Sequence, residues 1–524
     1  MEKLQNKNII WVIKIMLLWI MIISITIEII FFPTVGNLAG CIMMIISYSL
    51  FAKFFLKRDL IINAPFSFFM LCSMFLYRYL PLVGTLLEGK PISYGMENPV
   101  KTFFLETILF SISCIAFYFS SKNIKKVNFL QKTLNTFGFY NQSNEKTLWL
   151  LGGLGFIARI ISFSMGSIET GNVIGRILYV LYYYMYAPVI LFFPCLYISN
   201  SKKNFDTKNK VVWIYIIIIS IFNFASNSRN ELITPFSIFI LLLFFVLVIT
   251  NISMEKLLKP KIIIKTLIIC MLSFAIINMI SKSMLINRSV REELSFTELI
   301  ESTFDTLISG NMEATWESYS NKVNTTKTYE EGWTEDYIDN FLLNRFCNIR
   351  ITDETLYLSG KLDSYGQIKM LQDFGGRITA ILPQPVIKFI GLNFNKENYY
   401  NSRGDTLYIY SGIGNSNNWG GYRVTSHLGD GLATFGIFYF IIQFIMWYIV
   451  MSLLNSFSIY TKKMGRIYSV YGVLSVYASL LMFRNANGMI SDILYFLRGY
   501  WQDVIIFLII YNFTRFISSI KFER

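Results

Sequence analysis

The sequence predicts an all-α integral membrane protein, with about 12 transmembrane helices and one large external loop that carries amphipathic helices of its own. Three observations predict it. Apolar residues make up 54% of the chain and charged residues 15%, whereas soluble domains carry about 25% charge. Uninterrupted apolar runs recur near the ~20-residue length that crosses a bilayer. Basic residues collect in alternate connections between those runs, the pattern of cytoplasmic loops.

The runs fall at 9–31, 38–56, 62–82, 101–120, 147–164, 174–198, 211–226, 232–250, 262–281, 432–456, 467–483 and 501–518. The first begins at Ile9 behind Met1-Glu2-Lys3 with no small-residue cleavage site after it, so it reads as a retained helix. Residues 1–281 then hold nine spans, 282–431 the external loop, and 432–524 the last three.

Orientation follows from the basic residues. Lys53, Lys57 and Arg58 lie in one connection, and Lys122, Lys125, Lys126 and Lys132 in the next but one. The alternation continues with Lys202, Lys203, Lys208 and Lys210, then Lys256, Lys259, Lys261 and Lys265, then Lys462, Lys463 and Arg466. Both termini are therefore expected in the cytoplasm.

The net charge of +14 belongs to this pattern. The stretch Lys282–Asp430 has 14 basic and 19 acidic residues, which leaves 33 and 14 for the rest of the chain. The excess lies along the cytoplasmic rim, beside anionic headgroups, and implies no nucleic-acid partner. The six cysteines form no CxxC or Cys/His cluster, so neither a disulfide framework nor a metal site is expected. No phosphate-binding glycine motif is present, and Gly152, Gly153 and Gly155 read as close helix packing.

Within the large loop, Phe296, Leu299, Ile300, Phe304, Leu307 and Ile308 recur at helical spacing, as do Trp333, Tyr337, Ile338, Phe341 and Leu342. These read as amphipathic helices over the bundle, either functional or a stabilising cap. From Asn393 to Asp430, glycines interleave with Tyr, Asn and Ser, side chains that suit sugar hydroxyls and ring faces, although a tight irregular loop has the same composition.

The residues that could carry chemistry are arginines at the expected external helix ends: Arg78, Arg159, Arg176, Arg229, Arg423 and Arg484, with Arg403 in the loop. An external arginine gains nothing from the positive-inside rule. Its planar fork pairs with phosphate, so a convergent set would bind a diphosphate; interfacial snorkelling is the simpler reading of each one alone. Two stretches stand out, Ala225–Glu231 around Arg229 and Gly421–Gly431 around Arg423. The second contains His427, the one histidine of the chain, with Asp430 close by. A lone histidine is more often structural than catalytic, but its neutral form accepts a proton near pH 7. Asp405, Asp492 and Asp503 are lesser candidates.

These features resemble the Wzy-type O-antigen and oligosaccharide repeat-unit polymerases, relatives of the O-antigen ligases. The likeness lies in the architecture, in Asn227-Ser228-Arg229 before an apolar run, and in His427 with Gly429–Gly436 leading into Phe435-Gly436-Ile437-Phe438. A glycine usual near the Ser-Arg turn is Asn230 here. The resemblance implies a fold related to the glycosyltransferase C superfamily and a metal-independent glycosyl transfer without nucleotide sugar or other cofactor. Its substrate would be an oligosaccharide on undecaprenyl diphosphate, and its product a surface polysaccharide such as O-antigen or capsule. It also implies membrane lipids as surroundings, and a flippase and a chain-length regulator as neighbours. Arg229 and Arg423 would bind the diphosphate and His427 or Asp430 would serve the acceptor hydroxyl.

Alternatives are an O-antigen ligase, a lipid-linked oligosaccharide flippase, or a transferase using a lipid monophosphate sugar. The long loop disfavours the flippase. The first external turn, Pro33–Asn37, holds no acid for the last.

Overall fold

A computed structural model describes residues 8–122, 124–164, 173–198, 201, 203–225, 229–252, 328–335, 337–382 and 384–520, with isolated positions between 279 and 306. Among these residues, seven helices are long and apolar enough to cross a membrane. They are Ile9–Phe31, Val35–Phe55, Pro65–Leu86, Pro99–Ser121, Asn230–Thr250, His427–Asn455 and Ile490–Ser519. The protein is membrane-embedded and mostly helical.

The ends of these helices follow local chemistry. The Asn8 side chain accepts from the Trp11 amide and the Thr34 hydroxyl from the Asn37 amide, capping donors that a helix leaves unmet. Pro65 and Pro99 each open a helix, where a missing N–H costs nothing. The run at 147–164 lies in a helix, Glu145–Ser164. Two further runs form shorter apolar helices, Ile177–Phe192 and Lys210–Asn223. The run at 262–281 lies outside the described residues apart from one position.

One expected span is corrected. Residues 467–483 do not form a continuous helix. Gly465–Tyr468 pairs antiparallel with Ser458–Thr461 as a hairpin, and two five-residue helices follow, Val470–Leu474 and Val476–Leu480. Serines supply the reason. The Ser469 hydroxyl caps the first helix through the Gly472 amide, and Ser475, at φ −83° and ψ 14°, breaks it while its hydroxyl bonds back to the Gly472 carbonyl. Such side-chain bonds compete with the helical ladder.

The basic connections that hold Arg58, Lys132 and Arg466 lie at one end of the bundle. Arg58 donates to the Val248 and Ile249 carbonyls at the end of Asn230–Thr250, a helix C-terminus that favours a cation. At the same end Arg466 donates to the Ile124 carbonyl, Gln131 to the Ser458 carbonyl and Tyr468 to the Ile62 carbonyl. The segment after residue 328 covers the opposite end: Lys90 pairs with Asp339 at 2.7 Å, and Asp353 accepts from the Glu97 and Asn98 amides and the Thr102 hydroxyl.

The amphipathic helix expected from Trp333 to Leu342 is corrected too. The described residues from Trp333 to Asn340 are not helical, and Phe341–Asn344 coils, where the Asn340 side chain caps the Leu342 and Leu343 amides. The pattern at 296–308 lies almost wholly outside the described residues. The helices that build this cover are Ile349–Lys361, Ser364–Ala380, Gln384–Phe389 and Arg403–Tyr410.

Candidate functional site

A cavity of about 640 Å³ opens between the cover and the C-terminal third of the chain. Three arginines line it: Arg377, Arg484 and Arg498. Arg377 comes from the last turn of Ser364–Ala380. Arg484 begins a tight turn in which its carbonyl accepts from the Asn487 amide, and Gly488, at φ +67°, completes the turn against the Asp430 carboxylate, where no side chain fits. Arg498 sits in the π-helical turn Tyr495–Gly499 that leads into Tyr500–Ser519. A π-turn interrupts the regular bonding of a helix and is frequent at functional sites; here it puts both Tyr495 and Arg498 on the cavity wall.

The guanidinium groups are differently held. Arg377 donates from Nε to Asp373 at 2.8 Å and from Nη1 to the Tyr399 carbonyl, while its buried Nη2 has no hydrogen-bond partner among the described residues. Arg498 donates from Nε to Gln502 at 3.2 Å and is otherwise exposed. Arg484 is exposed, with no side-chain partner among the described residues. Lys396 lies beside the group: burial first, then the Arg498 charge, holds its ammonium below the usual lysine range. This cluster of cations is under-compensated, an arrangement that a polyvalent anion relieves.

The rest of the wall changes character with depth. Leu454, Phe457 and Tyr471 line the part nearest the hairpin, and Met482 and Leu494 lie between. Asp503 is the one carboxylate among the described lining residues. The cavity therefore joins three arginines to apolar and aromatic side chains, with Ser475, Ser479, Ser491 and Gln502 among them.

Of the residues singled out in the sequence, Arg484 and Asp503 line this cavity and several others are engaged elsewhere. Arg403 is buried: Nε donates to Asp430 at 2.7 Å, Nη1 to Asp373 and the Met370 carbonyl at 2.8 Å each, and Nη2 to the Thr434 hydroxyl. Burial alone would weaken its charge, but Asp430 and Asp373 more than offset this and raise its pKa. Asp430 is closed by Arg403 and the Met489 amide. His427 is fully buried, its Nε2 3.1 Å from the Asp492 carboxylate and its ring against Trp447 and Phe483. Arg78 pairs with Glu106 at 2.7 Å with both side chains fully buried. Arg159 pairs with Glu231 and lies over the Tyr182 ring. Arg423 pairs with Asp405 at 2.9 Å in a separate hollow.

The side chains of Arg229 and Arg176 lie outside the described positions, but their helices border the cavity. Asn230, next to Arg229, accepts a bond of 2.8 Å from Tyr477, whose neighbours Ala478 and Ser479 line the wall, and Tyr179 lines it one turn from Arg176. Arg377 and Arg498 were not singled out in the sequence. Arg498 carries the same signal as the others, an arginine at the expected external start of an apolar run. Arg377 carries none, since it lies inside an ordinary amphipathic helix.

Compared with protein families, with curated proteins and with solved structures, the chain matches none of them.

Proposed function

We propose that this chain is a membrane glycosyltransferase that joins oligosaccharide repeat units carried on undecaprenyl diphosphate, and that the cavity of Arg377, Arg484 and Arg498 holds the diphosphate. The observation that carries the reading is that three arginines line one hollow together with apolar and aromatic side chains. A charged head on a hydrocarbon chain matches both parts. In this reading residues 282–431 face the outside of the cytoplasmic membrane and both termini face the cytoplasm, which puts the basic end of the bundle inside.

The reaction needs little from the protein. The bond between the anomeric carbon and the diphosphate oxygen breaks, and the diphosphate leaves with the electron pair. The acceptor hydroxyl attacks the anomeric carbon and loses its proton to a base. The arginines stabilise charge developing on the leaving group, the larger part of such catalysis. Asp503 is the one carboxylate among the described lining residues, and we assign it the proton; His427 and Asp430 do not line this cavity.

Loss of one charge-assisted bond to phosphate costs about 1.5–3 kcal/mol, roughly a 10- to 100-fold loss in rate. Arg484→Ala and Arg498→Ala are expected to deplete long polymer in cells at unchanged protein level, with single-repeat surface glycan persisting. Normal-length polymer from both variants removes the diphosphate assignment. Accumulated free polymer in a deletion strain identifies a ligase instead, and flipping without a new glycosidic bond in reconstituted vesicles identifies a transporter.

A further inference from the structure

A second hollow, of about 470 Å³, lies wholly in the cover and shares no lining residue with the arginine cavity. We propose that it is a saccharide-binding subsite that holds a pyranose ring of the glycan at a distance from the diphosphate. The assignment of that ring to the transferred glycan rests on the function proposed above; the binding of a sugar does not.

Its lining fits a sugar better than any other class of ligand. Trp333 and Tyr408 meet edge to face with centroids 6.2 Å apart. The Arg423 guanidinium covers a face of Tyr408 at 4.3 Å, while Trp333 stays half-exposed, an aromatic surface for the C–H face of a ring. Around it stand the carboxylates of Glu331 and Glu335 and the amides of Asn415 and Asn418, groups that bond paired hydroxyls. Arg423 Nε is buried without a hydrogen-bond partner among the described residues, although Nη1 donates to Asp405 and to the Asn418 carbonyl. With two carboxylates beside one guanidinium the hollow lacks the positive excess that a phosphate needs. Its polar lining offers nothing to a lipid tail. Its volume lies within the range of small-molecule sites.

The hollow is also built in advance. Asp405 accepts from the Tyr422 amide at 2.9 Å, the Arg423 amide at 3.2 Å and Arg423 Nη1 at 2.9 Å, which holds Tyr422 at φ +51°. Asn415 and Asn418 cap each other's amides on the facing turn. A site fixed before binding loses less entropy when a ligand arrives. The strand that leaves it continues into Thr425, whose amide donates to the Ala486 carbonyl in the turn begun by Arg484.

The test uses the full-length protein in nanodiscs and saturation-transfer NMR with methyl glycosides of glucose, galactose, N-acetylglucosamine, N-acetylgalactosamine and glucuronic acid. At least one is expected to show transfer, reduced about fivefold or more in Trp333→Ala and in Glu335→Gln, retained in Trp333→Phe, and unchanged in Arg484→Ala. Thermal melts identify any variant that fails to fold, and Glu335→Gln, a change on the rim, then carries the test. Transfer that survives both Trp333→Ala and Glu335→Gln, or no transfer from any of the five, overturns the subsite and leaves the diphosphate cavity untouched. Transfer that depends on Trp333 in a protein whose deletion leaves surface polymer normal upholds the subsite and overturns the polymerase reading alone.

Discussion

Replacing Arg403 with methionine tests whether this arginine is a structural pivot or a substrate ligand. Its side chain is 2% exposed and that of Asp430 is 1% exposed, so neither charge is screened by water. The guanidinium touches Asp430, Asp373, Thr434 and the Met370 carbonyl. Removing it strands the buried Asp430 carboxylate and leaves Asp373 with Arg377 alone. Removing one partner of a buried pair costs about 3–5 kcal/mol, and Arg403→Met is expected to fall in that range. Asp430→Leu strands the arginine instead and is expected to cost a similar amount. The double variant leaves neither charge of that pair exposed to a poor environment, so it is expected to cost less than the sum of the singles, with a coupling of about 1–3 kcal/mol. The assay is the melting midpoint of the purified protein in detergent, followed by tryptophan fluorescence, for the four members of the cycle. Wild-type midpoints in Arg403→Met, or strictly additive losses, would refute the ion-pair reasoning and return Arg403 to the list of diphosphate ligands.

Two other outcomes follow from particular contacts. A Cβ on Gly155 would run into the Met185 backbone, whereas one on Gly153 meets nothing within 4 Å; Gly155→Leu is expected to lose about 1–3 kcal/mol by overpacking and Gly153→Leu to melt within error of wild type. Glu354 is pushed up to about 8, by burial first, against the opposing Thr334 amide bond and Arg350 charge and with the help of Glu335 and Asp353. The folded state therefore holds a proton that the unfolded state releases between the ordinary carboxylate range and pH 8, so stability falls as pH rises through that window, by at most roughly 1.4 kcal/mol per pH unit. Glu354→Gln keeps the acceptor for the Thr334 amide and is expected to flatten this fall and to melt above wild type beyond pH 8; a parallel pH profile in the variant would refute the assignment.

Much of the bundle was legible because the bilayer demands one thing, apolar length, that composition displays directly. Seven of the expected runs return as long apolar helices. The run at 467–483 satisfied the same demand and still broke, because hydropathy does not register what Ser469 and Ser475 do to a helical ladder. The helix Ile349–Lys361 was illegible for the opposite reason. Arg350, Thr352, Asp353, Glu354 and Thr355 are buried in it beside Ile349, Ile351, Leu356 and Leu358, so polarity does not mark which side faces inward. Its polar groups are satisfied by residues far away in sequence, Asp353 by the amides at 97 and 98 and by Tyr329, Thr352 by Glu106 and Tyr77.

The same blindness to distant partners governs the site. Seen along the chain, Arg403, Arg423 and Arg484 are equivalent: each is an arginine near the expected outer end of the bundle, and each can fork onto a phosphate. What separates them is whether the fold brings a carboxylate within 3 Å. Asp430 and Asp373 close on Arg403, and Asp405 closes on Arg423, from positions 27, 30 and 18 residues away. No carboxylate among the described residues closes on Arg484, and Arg377 shares Asp373 with Arg403, which leaves one of its nitrogens without a bond. Asp373 thus joins the closed pair to the open cavity: Asp430 holds Arg403, Arg403 holds Asp373, and Asp373 sets the angle of Arg377. An arginine that looks catalytic by position and is spent on structure here still reaches the cavity, through the carboxylate it shares. The candidate ligands are those whose electrostatic demand the protein itself does not meet.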